Sequence, residues 1–246
     1  MPSDGALHGP VFDRLMGWNL AILLILFSLA HLLIVIAVLR RRSASPDTQP
    51  HIPPHASGLL TKWLPLFGLC LLYVWMAATA ERLWAAHRFE GASPAAMQVE
   101  VTGVQFQWYF RYPGTDAAFG LTRPALIDAA AGNPLGLDPR DPQGRDDIVS
   151  SVLMLPVGHE VDLRLRSIDV IHGFFIPGMR LKQNAVPGWV LHVHFTPETP
   201  GTYPILCSQV CGLGHARMQA TLRVVSQADF DHWIASREHA SQAVTP

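Results

Sequence analysis

Residues 97–112, MQVEVTGVQFQWYFRY, carry two sets of alternating apolar side chains. Val99 and Val101 occupy odd positions, whereas the aromatic residues that follow occupy even positions. An alternation with period two is typical of a half-buried β-strand. The change of phase near Gly103 predicts a bulge within that strand, because one extra residue turns every later side chain to the opposite face.

The same alternation recurs farther along the chain and indicates a domain built mainly of strands. Apolar and polar residues alternate over residues 161–166 and again over residues 189–196, where Trp189 is the first of the inward-facing set. Residues 113–147 are rich in Pro, Gly, Asp and Asn, have no clear period and predict a long surface excursion. These features predict an all-β sandwich or barrel of about 130 residues.

A short helix is expected at the end of this domain. Ser226 and Asp229 have the three-residue spacing of a capping box at a helix N-terminus. The apolar side chains that this helix would turn inward are Phe230, Trp233 and Ile234.

Two long apolar segments precede the β-rich domain. No residue between Arg14 and Arg40 carries a fixed charge, and a second uncharged run lies between Lys62 and Glu81. Since about 20 apolar residues can cross a bilayer as a helix, the sequence predicts a two-helix transmembrane hairpin. The expected boundaries are 18–39 and 63–83 for the helices, 1–90 for the membrane hairpin and 91–246 for the second domain.

Basic residues set the expected orientation of the hairpin. Arg40, Arg41, Arg42 and Lys62 flank the loop between the helices, and positively charged loops remain in the cytoplasm. Both termini and the β-rich domain are therefore expected on the periplasmic side of the inner membrane. The N-terminal sequence has no basic region ahead of an apolar core, so no cleaved signal peptide is expected.

The composition excludes several classes of protein. Of the 246 residues, 49% are hydrophobic and only 15% are charged, which is unlike a disordered or wholly soluble chain. The net charge of −1 offers no basic surface for nucleic acid, so no nucleic-acid partner is expected. Three cysteines cannot form a disulfide framework. His31 and Cys70 lie inside the apolar runs and are interpreted as packing residues.

Potential metal ligands are concentrated in CSQVCGLGHARM, residues 207–218. Its candidate ligands, together with one histidine from farther upstream, are Cys207, Cys211, His215, Met218 and His172. Thiolate, imidazole and thioether are soft donors that favour copper. A single thiolate would suit a mononuclear blue-copper site, whereas two thiolates on one loop can bridge a pair of copper ions and leave one imidazole for each.

These residue types also have simpler interpretations. A C-x3-C pair outside the cytoplasm is commonly a disulfide or half of a structural zinc site. Zinc would leave Met218 unused, and a disulfide would explain neither Met218 nor His215, so the combination favours copper. His192 and His194 form a separate H-x-H pair and are interpreted as strand-surface residues, because no thiolate or carboxylate lies next to them in sequence.

Together these segments resemble subunit II of the haem–copper respiratory oxidases, the subunit that carries the dinuclear CuA centre. The resemblance extends over nearly the whole chain, and the cysteine segment is its most specific part. The stretches that carry it are VTGVQFQWYFRYPG (101–114), PVGHEVDLRLRSIDVIHGFFIPGMRLKQNAVPGW (156–189) and GTYPILCSQVCGLGHARM (201–218). The resemblance implies a cupredoxin Greek-key barrel exposed to the periplasm.

The family pattern also implies roles for individual residues. The implied copper ligands are bridging Cys207 and Cys211, terminal His172 and His215, the weak ligand Met218 and the backbone carbonyl of Gln209. Such a subunit accepts electrons from a c-type cytochrome and passes them to haem in subunit I, where oxygen is reduced and protons are pumped. The implied partners are subunit I, the other oxidase subunits, the membrane and the cytochrome. The chain itself is an electron-transfer subunit of the enzyme.

Three positions differ from the mitochondrial form of the family pattern. In these differences the sequence resembles a divergent bacterial branch of the family. Gln209 replaces a glutamate that binds magnesium at the interface with subunit I, so no magnesium ligand is expected from the Gln209 side chain. Phe106 replaces a tryptophan at which electrons enter, and the expected route therefore runs through Phe106 or Trp108. Asn184 replaces a frequent aspartate.

Other functions share most of these features. The same copper-bearing module could serve a nitric oxide reductase, and the sequence of its partner would distinguish that case. A quinol oxidase subunit II has the same fold but lacks the copper ligands. A membrane-tethered copper-binding or delivery protein would need open, exchangeable coordination, whereas five side-chain ligands at fixed spacing favour a closed redox site.

Overall fold

The computed structural model of the protein describes residues 2–43, 60–88 and 90–242. The chain divides into two compact units, one formed by Met1–Pro10 with His87–Pro246 and the other by Val11–Ala86. Most of the loop that the sequence assigns to the cytoplasm lies outside the described residues.

The second unit consists of two apolar helices, α1 (Gly9–Ser43) and α2 (Leu60–Arg88), whose outermost turns belong to the first unit. By length and composition both are able to cross a membrane, and the most apolar part of each is fully exposed to the surroundings. Both helices continue past the expected 18–39 and 63–83. Hydropathy marks only the part of a helix that is immersed in lipid, whereas backbone hydrogen bonding extends the helix beyond it.

The first unit contains two five-stranded sheets. The strands are β1 (Met97–Val104), β2 (Gln107–Tyr112), β3 (Ile148–Ser150), β4 (Val152–Pro156), β5 (Val161–Ser167), β6 (His172–Ile176), β7 (Leu181–Ala185), β8 (Leu191–Phe195), β9 (Gly201–Cys207) and β10 (Gln219–Val225). One sheet has the order β3-β2-β1-β5-β8 and the other β4-β10-β9-β6-β7. β1 pairs with β5 and β4 with β10 in parallel, and the remaining neighbours are antiparallel. The predicted cupredoxin-like all-β fold is confirmed.

The inward faces of the strands form one apolar core. In β5 the predicted alternation is confirmed except at Asp162, which is buried: Val161, Leu163 and Leu165 are fully buried, whereas Arg164 and Arg166 are only partly covered. The strands are thus held by the burial of one face, the dominant favourable contribution to folding.

Residues 97–112 form a hairpin, so the prediction of a single bulged strand is wrong. β1 ends at Val104, β2 begins at Gln107, and these two residues face each other in the antiparallel pair. The phase of the alternation changes because the chain reverses direction over Gln105 and Phe106. Neither residue is a glycine, proline or asparagine, so the turn lacks the usual sequence signal.

The prediction that Trp189 lies on an inward-facing strand position is also wrong. Trp189 precedes β8 and is 68% exposed. Its N–H donates to the carbonyl oxygen of Val186, and Gly188 has a φ of 77°, so this stretch is a turn. Val193 and Phe195 on β8 are buried, as the alternation predicts.

Residues 113–147 form the predicted surface excursion, with two short 3₁₀ helices and none of the ten strands. The final helix, α3 (Gln227–Gln242), begins at the predicted capping box. Ser226 Oγ accepts the Asp229 N–H at 3.2 Å and donates to the Asp229 carboxylate at 2.7 Å. Phe230 of this helix is buried in the core.

The residues ahead of α1 add a short strap to the β-rich unit. The Gly5 N–H donates to the Gly178 carbonyl at 2.9 Å, and the Leu7 N–H donates to the Thr196 carbonyl at 3.0 Å. The Gly5 carbonyl accepts the Glu198 N–H at 2.7 Å. The strap that precedes α1 is therefore hydrogen-bonded to the β-rich unit that follows α2.

Candidate metal centre

One end of the β-rich unit brings the candidate ligands together. His172 is the first residue of β6, Cys207 is the last residue of β9, and Cys211 lies in the loop between β9 and β10. One potential ligand atom from each of these three residues lies within 4.8 Å of the other two. Two adjacent strands thus hold side chains that are far apart in sequence.

The two cysteines are close together but not bonded to each other. Their Sγ atoms are 3.8 Å apart and both are free thiols, whereas a disulfide bond is about 2.05 Å long. Burial, together with the neighbouring Cys207, raises the pKa of the Cys211 thiol to about 11. A metal bound here has to displace the thiol proton, and its positive charge favours the thiolate.

The remaining expected ligands surround these two sulphur atoms. His215 Nδ1 and Met218 Sδ lie 3.7 and 3.8 Å from Cys211 Sγ, respectively. The Gln209 carbonyl oxygen lies 3.2 Å from Cys207 Sγ. Met218 is fully buried, His215 is partly exposed, and the neutral side chain of Gln209 is exposed.

His172 is oriented as a metal-binding histidine is. Its Nε2 lies 2.8 Å from Asp169 Oδ1, whereas its Nδ1 is buried without a hydrogen-bond partner. A buried polar atom without a partner costs free energy. A carboxylate that holds the other ring nitrogen is the usual support of a ligand histidine, so the donor set fits a metal bound at Nδ1.

Sequence reasoning missed Asp169 and Gln105. Asp169 also accepts the Gln105 backbone N–H at 2.7 Å, and the Gln105 side chain donates to the Cys211 carbonyl at 2.6 Å. Although burial acts to raise it, the pKa of Asp169 is lowered by the hydrogen bonds from His172 and Gln105. An acid three residues before His172 was the available signal, whereas the contact between Gln105 and Cys211 spans 106 positions and leaves no local pattern.

Two glycines allow the close approach of these loops. A Cβ at Gly103 would lie only 2.8 Å from Cδ2 of His172, so a larger residue would displace the His172 ring. A Cβ at Gly173 would lie 2.8 Å from the Gln209 backbone nitrogen. The Ser208 N–H donates to the Gly173 carbonyl at 2.8 Å, which joins the cysteine loop directly to β6.

Phe106 and Trp108, the two aromatic residues expected on the electron route, lie at different depths in the domain. Phe106 is 38% exposed, and its ring packs beside Gly212 and Gly214 of the cysteine loop. Trp108 is fully buried and meets His172 edge to face, with ring centroids 5.8 Å apart. Phe106 therefore lies at the surface, and Trp108 packs behind His172.

His192 and His194 have carboxylate partners that the sequence did not indicate. His192 Nδ1 lies 2.8 Å from Asp162 Oδ2, and His194 Nδ1 lies 3.1 Å from Glu160 Oε1. The pairing of β8 with β5 places these acids next to the two histidines. Asn184 lies opposite Gly173 in the pairing of β7 with β6.

The fold and the cysteine–histidine cluster define a membrane-anchored, cupredoxin-like protein with a candidate copper centre. A family model described as the periplasmic domain of cytochrome c oxidase subunit II matches residues 97–225. The chain belongs to this family.

Individual relatives agree with this assignment. The chain is 37% identical over 164 residues to the alternative cytochrome c oxidase subunit 2 of Bradyrhizobium diazoefficiens, which covers 66% of this chain and 58% of the relative. It is 30% identical over 151 residues to cytochrome c oxidase subunit 2 of Synechocystis, covering 61% of this chain and 36% of the relative. The chain thus spans between about a third and three fifths of the length of these relatives.

A solved structure has a similar domain. The crystal structure of the periplasmic domain of cytochrome oxidase subunit II of Bradyrhizobium japonicum matches with a TM-score of 0.45 and 25% identity. The match covers 61% of this chain and 99% of that domain.

Proposed function

We propose that the β-rich unit binds two copper ions and serves as the electron-transfer subunit of a haem–copper oxidase. Cys207, Cys211, His172 and His215 would hold the two ions. Met218 and the Gln209 carbonyl are the weak ligands. The observation that carries this proposal is a pair of free thiols 3.8 Å apart beside a buried imidazole nitrogen that has no protein partner.

The donor set favours two copper ions over the simpler alternatives. A structural zinc ion takes four ligands and leaves the thioether unused, yet Met218 is fully buried with its sulphur 3.8 Å from Cys211 Sγ. A disulfide would need neither the imidazoles nor Met218. Thiolate, imidazole and thioether together are the ligands preferred by copper.

Bound copper would supply reversible one-electron transfer, and the chain supplies a rigid and largely dry setting for it. His172, Cys211 and Met218 are buried, which keeps water from most of the ligand atoms. Asp169 holds the His172 ring, and Gln105 holds the cysteine loop. Ligands that are fixed in this way move little when the charge of the site changes, which favours fast electron transfer.

The surface over the centre suits a donor that docks mainly through apolar contacts. Val210 and Leu213 of the cysteine loop are 79% and 107% exposed, and Phe106 lies beside them at the same loop. Residues 90–246 contain 11 basic and 15 acidic side chains, a small excess of negative charge. A c-type cytochrome is therefore the expected donor, with a rate that falls only modestly with added salt.

Electrons received at this surface pass to haem in subunit I, where oxygen is reduced and protons are pumped. The chain contributes no group that makes or breaks bonds in that reaction. The membership of the chain in the subunit II family supports this assignment.

The strap ahead of α1 supports a topology with both ends outside the cytoplasm. Gly5 and Leu7 hydrogen-bond to the β-rich unit, so the start of α1 lies on the same side of the membrane as that unit. Arg40, Arg41 and Arg42 form the last turn of α1, at its opposite end. Since basic residues remain in the cytoplasm, the copper-binding domain is periplasmic and the helices lie in the inner membrane.

Electron paramagnetic resonance of the copper-loaded full chain tests the proposal. We expect two copper ions per chain and hyperfine coupling shared by two equivalent nuclei. Cys207→Ser and Cys211→Ser should each abolish this spectrum. Cys70→Ser is the matched control, because Cys70 lies on α2 and should leave the spectrum unchanged. One copper ion per chain with a single-nucleus pattern would contradict the proposal.

A further inference from the structure

The two helices enclose an apolar groove that the copper chemistry does not use. The groove has a volume of about 420 Å³ and is lined almost wholly by apolar atoms. Its walls include Leu15 and Trp18 of α1 together with Trp75 and Leu83 of α2. All of its lining residues belong to the unit formed by Val11–Ala86.

Two arginines line this groove, each about one turn inside the outermost lining residue of its helix, Val11 on α1 and Ala86 on α2. Arg14 immediately precedes the long uncharged run of α1, and Arg82 follows the uncharged run of α2. Both residues line the groove, whereas the neighbouring acids, Asp13 and Glu81, do not. Within the described residues neither arginine forms an ion pair with an acidic side chain.

Two tryptophans line the groove on the side of the arginines that lies within the long apolar runs. Trp18 and Trp75 are aromatic residues of the kind that is enriched where hydrocarbon meets the polar headgroups. An acyl chain that runs from the arginines into the apolar part of the helices can pack against their indole rings. A guanidinium is the preferred partner of a phosphate, because its planar N–H groups match the phosphate oxygens.

We infer that this groove binds one anionic phospholipid, with the phosphate held between Arg14 and Arg82 and an acyl chain along the apolar walls. The inference does not depend on copper binding. The phosphate of the lipid would partly offset the charge of the two arginines, and its acyl chain would occupy the space between the helices. The positive charge of the site selects an anionic headgroup over a zwitterionic one.

Native mass spectrometry of the detergent-solubilised full chain, titrated with phosphatidylglycerol, tests this site. We expect one tightly retained phosphatidylglycerol per chain and much weaker retention of phosphatidylcholine. Arg14→Gln and Arg82→Gln should each weaken retention about fivefold, since one arginine near a membrane surface contributes about that factor. Arg14→Lys and Arg82→Lys keep the charge and should restore most of the binding.

Arg41→Gln is the matched control, because it removes an equal charge at the opposite end of α1. An equal loss in Arg41→Gln would show general attraction of anionic lipid and overturn the inference. Equal retention of phosphatidylcholine, or full displacement by inorganic phosphate, would do the same. The groove would instead hold the catalytic subunit if Arg14→Gln released that subunit from the purified oxidase while its lipid content stayed constant.

Discussion

The candidate metal centre and a cluster of charged residues on the first sheet are both buried. They differ in whether their polar atoms have partners within the chain. The cluster consists of Glu100, Arg111 and Asp147, and Arg111 donates to both carboxylates at 2.9–3.1 Å. At the metal centre, His172 Nδ1 has no partner and Cys211 has only other candidate ligands around its sulphur. The ionic cluster pairs its buried charges within the chain, although Asp147 Oδ1 has no partner, and so builds structure, whereas the metal centre leaves its strong donor atoms unpaired and offers a candidate binding site.

The ionic cluster explains how an irregular excursion is held against a sheet. Arg111 also donates to the Gly120 carbonyl at 2.7 Å, and Asp147 accepts the Gly120 N–H at 2.9 Å. Phe119 lies between two guanidinium groups, with its ring centroid 4.9 Å from Cζ of Arg111 and 5.1 Å from Cζ of Arg164. Charge and cation–π contacts thus replace the strand pairing that the excursion lacks.

The largest effect should follow from removing the cation of this cluster. Arg111→Met keeps much of the side-chain volume but leaves buried Asp147 without its positive partner, and leaves buried Glu100 with only Arg166, whose Nη1 lies 3.4 Å from Glu100 Oε2. We expect the free energy of unfolding to fall by about 3–5 kcal/mol, the usual cost of breaking a buried ion pair from one side. Chemical denaturation of the full chain in detergent, followed by tryptophan fluorescence, measures this loss.

Arg123→Met is the matched control for that experiment. Arg123 lies 2.6 Å from Asp138, but its side chain is 60% exposed. The expected loss is below about 1 kcal/mol, because an exposed ion pair is screened by water and salt. A loss as large as that of Arg111→Met would show that burial is not what separates the two pairs.

A second effect should appear at the metal centre when the support of His172 is weakened. Asp169→Asn keeps the size of the side chain but removes the charge that orients the imidazole. We expect copper affinity to fall about 10- to 100-fold, as for other carboxylates that support a ligand histidine. Competition with a copper chelator measures the change, and Asp116→Asn, in the surface excursion, is the control. Unchanged affinity would show that Asp169 does not position His172.

A smaller effect sharpens the contrast between the two buried regions. His172→Leu removes the unpartnered Nδ1 together with the hydrogen bond to Asp169. Removing the unpartnered nitrogen stabilises the chain, and losing the hydrogen bond destabilises it by a similar amount. The stability of the metal-free chain should therefore change by less than about 1 kcal/mol, while dinuclear copper binding is lost. Parallel denaturation and copper-loading experiments compare the two properties. A large destabilisation would mean that His172 is needed mainly for structure.

Much of the fold was predictable because periodicity is a local property of a sequence. The strand over residues 161–166, the capping box at Ser226 and the two apolar helices all follow from residues that are neighbours in the chain. The hairpin at Gln105 and Phe106 was missed because its turn contains none of the residues that usually mark a reversal.

The residues that could bind metal were also predictable from the sequence, whereas the residues that hold them in place were not. Cys207, Cys211 and His215 lie within nine residues and carry a recognisable spacing. The contact of Gln105 with Cys211 depends on how two loops meet in the folded domain. The pairing of His194 with Glu160 likewise depends on strand register, which single-residue patterns do not reveal.

The smallest predicted effect concerns the carboxylate of Glu160. It accepts the Ser93 N–H at 3.3 Å and lies 3.1 Å from His194 Nδ1, but it is partly exposed. The hydrogen bonds from Ser93 and the proximity of His194 lower its pKa below the ordinary value of 4.5. The ionised form is therefore favoured by the fold, in contrast to the buried thiol of Cys211.

The sign of this shift fixes the expected pH dependence. Because the folded chain lowers the pKa of Glu160, its contribution to stability is complete above pH 4.5 and is lost as the pH falls through the lower, folded-state value. Glu160→Gln should destabilise the chain by no more than about 0.5 kcal/mol at neutral pH, since the group is solvent-screened. The difference from wild type should then shrink as the pH falls below 4.5.

Thermal unfolding across this pH range measures the difference in stability. Glu198→Gln is the control, because the Glu198 carboxylate makes no hydrogen bond to any residue that the structure describes. A difference that grows in acid would contradict the assigned direction of the shift.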